Sequence, residues 1–422
     1  MITTRKTNRK PELLSRSSTL KHKIRDRRVE LLAPAGSFPS LIAAIDAGAD
    51  AVYLGLSEEG LNMRAKAKNF SLSDLKEIRE ICDKRNKNKR VKVYLTLNTI
   101  IYDNEIKKVE NILKKAKKYV DAVICWDPSV IGLCKKLRID FHISTQASVS
   151  NKKAAEFYKK LGARRIVLAR ELNLKQIKEI SRVIDTEVFI HGAMCVSISG
   201  RCFTSQFLFG KSANRGECLQ PCRRAYSVKD DSGNELKLEN NTVMSAKDLC
   251  TLPFIEKLKA AGVKAFKIEG RIREPEYVSI TTKVYRKAID KKLSKEEIEQ
   301  SLKELNKVYT KGFSSGFYLG TPTSDDFSRE EHSVSSQKKE FIGNIDKYLT
   351  NKQVAIVKVC SGKLRVGDEL YVIGNKTGII HHKLERIEIN KKPVSRAIKG
   401  QEVGIKIPGA RKKDKIYLIV KK

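Results

Sequence analysis

Between Glu187 and Tyr226 the chain reads EVFIHGAMCVSISGRCFTSQFLFGKSANRGECLQPCRRAY, with Cys195, Cys202, Cys218 and Cys222 at spacings C-x6-C and C-x3-C. Thiolates are soft ligands suited to zinc or to the iron of an iron–sulfur cluster. The intervening Gly and Ser let a loop fold tightly enough to gather the sulfurs. Structural zinc sites favour C-x2-4-C knuckles in pairs. Only Cys218–Cys222 fits that spacing, and Pro221 lies inside it. An iron–sulfur cluster tolerates the wider spacing, so it is the expected occupant and zinc the alternative. Cys250, in SAKDLC, is a further candidate ligand, expected to begin the helix leading into the last strand of the domain. Cys82, Cys125, Cys134 and Cys360 stand singly in helical or strand patterns and read as core packing.

Other polar residues cluster at strand ends. In HISTQASVSN, His142, Ser144, Gln146 and Ser148 alternate, so one strand face is expected to carry four polar side chains. Such a face costs free energy on a buried strand unless its groups are satisfied, which points to a site. In KIEGR, Lys267, Glu269 and Arg271 alternate likewise and could bind a small acidic molecule or form an internal ion pair. Glu187 and His191 are acid–base candidates beside the cysteines, although a lone His is more often structural. Asn98 and Asp127 end two further strand runs in the same expected ring, and APAG ends the first run. No H-E-x-x-H or G-x-S-x-G occurs. His191 lies near Cys195 in sequence, which leaves a thiol peptidase pairing open.

These residues need a scaffold, and its elements are legible. Short apolar runs at Val29–Ala33, Ala51–Leu56, Val91–Leu97, Ala122–Trp126, Phe141–Thr145, Arg165–Ala169, Glu187–Ile190 and Ala265–Ile268 read as strands buried on both faces. Helical periods separate them at Phe38–Ala47, Ser73–Lys84, Ile106–Lys118, Pro128–Leu137, Lys152–Leu161, Lys175–Val183 and Leu252–Ala261. Gly48, Gly162 and Gly262 stand where helix C-caps belong. The pattern predicts an α/β fold, a (β/α)8 TIM-like barrel over residues 29–325. An open doubly wound sheet is the alternative, but no G-x-G-x-x-G follows the first strand, and the barrel is favoured. The Cys-rich stretch becomes an insertion, 193–244, at the end where barrel active sites gather, and 226–244 reads as a hairpin. Helices are expected at Glu276–Asp290 and Lys295–Tyr309. From 340 to 422 only alternating strand patterns remain, which predicts a separate small β-barrel.

The chain holds 85 Lys+Arg against 49 Asp+Glu, a formal +36. A field of that size attracts polyanions, RNA foremost, although a general lysine bias would also raise it. Residues 1–28 are basic and without hydrophobic period, and read as a disordered arm. Nine cysteines, an odd number, argue against a disulfide framework and for metal or redox use. Neither a membrane-length apolar run nor a secretory signal is evident, so the expected location is cytoplasmic, with no membrane partner.

The motifs ELLAPAG, AGADAVYLG, HISTQASVSN, the cysteine stretch, VKAFKIEGR with REPEYV, and GFSSGFYLG occur in an order that resembles the collagenase-like peptidase family U-32. The resemblance spans about residues 29–320, and 340–421 is similar to the second domain of translation elongation factors. It implies either a peptidase of unknown catalytic type or a hydroxylation protein acting on a tRNA wobble uridine, an rRNA cytidine or a ubiquinone precursor. It further implies a 4Fe-4S cluster on Cys195, Cys202 and Cys218, with Cys222 and Cys250 competing as fourth ligand. For the RNA-directed members it implies prephenate as a small acidic cosubstrate. The net charge favours the RNA branch. A non-catalytic RNA-binding protein with structural zinc is the remaining alternative.

Overall fold

Alternating strands and capped helices close into a barrel. The computed structural model describes residues 29–422 except 59, 66, 87–89, 225–227, 237–243 and 331. The basic segment 1–28, read above as an arm, lies outside the described residues. Seven parallel strands come first: β1 (Glu30–Pro34), β2 (Ala51–Leu54), β3 (Lys92–Leu97), β4 (Ala122–Cys125), β5 (Phe141–Ile143), β6 (Arg165–Val167) and β7 (Thr186–Gly192). A detour then carries β8 (Val228–Lys229), β9 (Glu235–Leu236) and β10 (Asp248–Cys250) before the eighth barrel strand, β11 (Ala265–Ile268). β11 pairs in parallel with both β1 and β7, which closes the ring.

Helices α1 (Phe38–Asp46), α2 (Asp74–Lys84), α3 (Ile106–Ala116), α4 (Pro128–Leu137), α5 (Lys152–Lys160) and α6 (Leu174–Ser181) follow the first six strands. Several start on a side-chain cap that satisfies an orphan backbone donor: Ser37 for α1, Asp127 for α4, and Asn173 with Gln176 as a capping box for α6. The short α7 (Thr204–Phe209) lies in the detour, and α8 (Ile255–Ala260), α9 (Pro275–Asp290) and α10 (Lys295–Leu305) complete the domain. The expected cap glycines 48, 162 and 262 all adopt positive φ just past their helices.

The main core lies between strands and helices, where Leu31, Val52, Val93, Val123 and Phe266 face outward from the sheet. The barrel interior is different. Its apolar part is a small cluster of Leu32, Ala51, Tyr53, Tyr94, Ala122 and Ile124. The rest is a chain of buried ion pairs: Glu30–Arg165 at 2.6 Å, Arg165–Glu187 at 3.3 Å and Lys267–Glu187 at 2.8 Å. Burial alone would raise the Glu30 pKa, but Arg165 and Lys92 hold it down at about 2.

Beyond α10 a two-residue strand, β12 (Phe313–Ser314), pairs with β10. The C-terminal region is antiparallel: β13 (Gln337–Leu349), β14 (Val354–Lys358), β15 (Lys363–Arg365), β16 (Glu369–Gly374), β17 (Gly378–Lys383), β18 (Ile387–Ile389), β19 (Lys392–Val394), β20 (Arg396–Ile398), β21 (Glu402–Lys406) and β22 (Lys415–Lys421). Alternation buries Ile342, Val357, Leu370, Val372, Ile405 and Ile416 in its own core. It rests on the barrel. β17 packs on α1, and a Cβ at Gly378 would come 2.3 Å from Ile42 Cγ2. Lys339 pairs with Glu274 at 3.2 Å and Glu276 at 2.8 Å.

Several sequence expectations are corrected. β5 stops at Ile143, and Thr145–Ala147 turns into a 3-10 segment with Ser148 left-handed, so the expected four-residue polar strand face does not exist. The backbone leaves the sheet there because the rim must turn back towards α5. The helix expected to reach Tyr309 ends at Leu305. Cys250 sits in a strand, β10, antiparallel to β7, and not at a helix start. Of the expected hairpin at 226–244, a short β8–β9 ladder is described around the DDSGN turn. Among the described residues no helix is long and apolar enough to cross a membrane.

Candidate functional site

The eight strand ends open on a small cavity of about 50 Å3, lined among others by Tyr53, Arg64, Asn98, Gln146, Arg170, Lys267, Glu269 and Arg271. Inward alternation on β11 brings Lys267 and Glu269 to it, as the sequence predicted. Arg64 Nε donates to Glu269 Oε1 at 3.1 Å. Arg271 donates to Thr96 Oγ1 at 2.9 Å and Asn62 Oδ1 at 2.8 Å, and burial pushes its pKa down to about 10. Lys267 lies 4.4 Å from the centre of the Tyr53 ring, and burial lowers its pKa against the pull of Glu187. Arg170 stacks over Phe189 at 4.1 Å, and its buried Nε has no hydrogen-bond partner among the described residues. Four cationic side chains thus face one carboxylate. Glu269 would be raised by burial, but Arg64 and Arg170 hold it below the usual carboxylate range.

Next to this cavity lies a second, of about 170 Å3, formed by the insertion. Cys195, Cys202, Cys218 and Cys222 all line it, and Met63, Arg64, Gln146 and Arg170 belong to both cavities. Two of the sulfurs are seated on backbone donors: Thr204 N–H points to Cys202 Sγ at 3.4 Å and Gln220 N–H to Cys218 Sγ at 3.4 Å. Burial would raise the Cys202 pKa, but the Thr204 and Ser197 hydrogen bonds bring it down. Burial, with Cys195 close by, pushes Cys222 up to about 11. Among the described residues no three Cys, His, Asp or Glu side chains stand as a ready-made metal site. The donor chemistry suits a soft metal nonetheless: four thiols on one cavity, with N–H groups aimed at two sulfurs as at metal-bound thiolates.

The insertion is held on the barrel by specific contacts. Ala65 N–H donates to Gly216 O at 3.1 Å, and a Cβ at Gly216 would lie 2.0 Å from Asn62 O. Only glycine permits that approach, at φ 88°. Arg215 pairs with Glu105 and stacks on Tyr102 at 4.7 Å. Ser148, expected as a substrate contact, instead bonds Ser199 Oγ at 2.8 Å and Arg201 Nη2 at 2.9 Å, which joins the barrel rim to the insertion.

Other candidates are placed away from the mouth. Glu187 is fully buried between Lys267 and Arg165, below the cavity lining. His142 packs on Tyr94 at 4.7 Å in the same lower layer. His191 faces outward, with Nδ1 3.3 Å from Tyr285 Oη and its ring among Tyr277, Tyr285 and Phe313. The reason is a register shift between Lys267 and Ile268, which sets His191 level with Ile268 and not with an inward residue. Burial lowers its pKa to about 3. Cys250 lies beside it, 3.6 Å from Tyr285 Oη, and is not among the cavity-lining thiols. Asp127 caps α4 and accepts from Ile101 N–H. Asn98 does reach the mouth, accepting from Met63 N–H at 3.1 Å. Arg64 and Arg170 were missed by the sequence reading. Each is one cation among 85, in a loop without period, and only the fold singles it out.

A closed (β/α)8 barrel with a thiol-lined annex at its mouth and an antiparallel β-domain packed against it defines the class. Residues 36–328 match the model of Peptidase family U32 and residues 352–419 that of Elongation factor Tu domain 2. The chain belongs to peptidase family U32, as its motifs indicated. It is 41% identical over 409 residues to a "Collagenase" of Porphyromonas gingivalis, covering 92% of this chain and 97% of that protein. It is 34% identical over 375 residues to "tRNA hydroxylation protein P1" of Bacillus subtilis, covering 86% of this chain and 87% of that one. It is 39% identical over 270 residues to "23S rRNA 5-hydroxycytidine C2501 synthase" of Escherichia coli, covering 63% of this chain but 40% of that one.

Proposed function

We propose that this chain is an RNA hydroxylation enzyme, acting on a tRNA wobble uridine or an rRNA cytidine, with prephenate or a similar dicarboxylate as cosubstrate. One observation carries the reading: the four-thiol cavity and the cationic mouth cavity adjoin and share Arg64, Gln146 and Arg170. Cys195, Cys202, Cys218 and Cys222 would hold an iron–sulfur cluster, which supplies one-electron chemistry when bound. Arg170 and Arg271 would hold the carboxylates of the cosubstrate, as guanidinium groups match carboxylates in a fork. Lys267 adds positive charge below them. Glu269, the one carboxylate of the mouth lining among the described residues, would move a proton at the reacting base. Glu187 and His191, proposed from sequence as catalytic, serve as the buried partner of Lys267 and as outward core packing. The insertion also exposes Phe203 and Phe207 beside Arg201 and Lys211, the mixture of rings and cations that holds unpaired bases.

The names of its relatives make a peptidase the competing reading. A thiol peptidase needs a histidine within reach of its nucleophile. His142 packs on Tyr94 and His191 on Tyr285, which counts against the pairing that sequence proximity left open. The test is nucleoside mass spectrometry of tRNA and rRNA from a strain lacking the protein, complemented by wild type or by Cys195→Ala. Loss of one hydroxylated nucleoside, restored only by wild type, supports the reading. Full restoration by Cys195→Ala overturns it, and collagen cleavage by an intact preparation with unaltered RNA favours the peptidase.

A further inference from the structure

A larger cleft, about 600 Å3, separates the barrel from the C-terminal domain. On one side it is walled by the start of α1 (Ser37, Pro39), Lys68 and the Arg271–Pro275 turn. The other wall is the β16–β17 turn with Lys376 and the loop Arg411–Lys415 before β22. Its cations are exposed: Lys68, Lys376, Lys412, Lys413 and Lys415 make no ion pair among the described residues. The two lining carboxylates are committed elsewhere. Asp414 accepts from Thr377 Oγ1 at 2.6 Å and Arg411 N–H at 2.8 Å, while Glu274 pairs with Lys339.

The lysine loop is held in shape. Asp414 is buried, and Lys413 adopts φ 73° with its N–H donating to Ile345 O at 2.8 Å. A non-glycine residue in that region persists only where its surroundings fix it. Lys412, Lys413 and Lys415 therefore line the cleft from a fixed backbone. Arg271 borders this cleft and the mouth cavity alike, so the two lie on the same end of the barrel.

We infer that the cleft between the domains is the track for the phosphate backbone of the RNA whose base reaches the mouth, with the 411–415 loop as its C-terminal wall. The inference rests on the RNA reading above and adds which surface takes the strand. It gives the elongation-factor-like domain a role: half of the binding track. Phosphate contacts of this kind release counterions, so each contributes about 0.7 to 0.9 to the slope of log affinity against log salt.

The test uses the full chain and protein-free total tRNA. Affinity is measured across a salt series for wild type, for Lys376→Ala/Lys412→Ala/Lys415→Ala, and for a control with the same charge change at the C-terminal end of α3 and just beyond it, Lys115→Ala/Lys117→Ala/Lys118→Ala. The cleft variant is expected to lose about 2 to 3 from the slope and roughly 10- to 100-fold in affinity at low salt. The α3 control should stay near wild type, and all three should share one melting temperature. Equal slopes for cleft variant and wild type, or equal losses in the α3 control, overturn the cleft assignment while leaving RNA as substrate. Wild type that does not bind tRNA overturns both. Polyglutamate that displaces tRNA at equal charge overturns it too, by making the cleft a site for acidic peptide.

Discussion

At the level of single residues the account separates groups that face the mouth from groups that resemble them only in sequence. Glu269 and Glu187 are both buried carboxylates paired to cations, but Glu269 borders the cavity and Glu187 does not. Glu269→Gln keeps the shape and removes the proton acceptor. It should cut the rate of RNA modification by roughly 100-fold or more while tRNA affinity holds, measured as single-turnover rate against binding. His191 gives a different signature. Its pKa is low in the fold, about 3 against an ordinary 6.5, so the unfolded chain binds a proton in that window and the folded one does not. Stability is therefore lost as pH falls from 6.5 towards 3, by at most about 1.4 kcal/mol per pH unit for one such group. His191→Phe should flatten that part of the acid-melting curve and leave modification intact at neutral pH. Glu30 acts in the same direction lower down: its contribution is present above about 4.5 and fades as pH falls towards about 2.

At the level of elements, the insertion matters through its docking as much as through its cysteines. Gly216→Ala would set a Cβ against Asn62 O and force an unfavourable φ, at a cost of about 1–3 kcal/mol from the backbone alone. The expected result is lower iron per chain with unchanged far-ultraviolet circular dichroism, because the barrel does not depend on that contact. The elements themselves were legible in sequence. Continuous apolar runs, capping residues and the Gly48, Gly162 and Gly262 junctions are local signals, and strands and helices formed there. What sequence could not show is orientation decided by register. Polar alternation from His142 to Ser148 looked like a strand face, yet the strand ends at Ile143. A register shift turned His191 away from the thiols it neighbours in the chain. Cys250, read from sequence as an alternative fourth ligand, lies on a strand paired with β7. The cysteine spacing did locate one cavity, since all four thiols of the stretch line it.

At the level of the whole molecule, charge and domain arrangement act together. The formal +36 attracts RNA from any side, but only a shaped surface gives it a direction. β17 is seated on α1 beside the interdomain cleft, and Gly378 packs closely against Ile42 there. Gly378→Val places a branched side chain against Ile42 and should loosen this seating. The expected outcome is weaker tRNA binding and a larger radius by small-angle scattering, with iron content unchanged because the cysteine cavity lies wholly within the barrel domain and its insertion.

The measurement that bears most directly on the central claim is anaerobic purification followed by an absorbance scan and an iron, sulfide and zinc count, on wild type and on Cys195→Ala, Cys222→Ala and Cys250→Ala. The account predicts iron and sulfide in cluster proportion with a broad visible band in wild type. It predicts their loss in the first two variants and retention in Cys250→Ala, whose thiol sits beside Tyr285 and outside the cavity. Stoichiometric zinc without colour, or a cluster that survives Cys222→Ala but not Cys250→Ala, would contradict it.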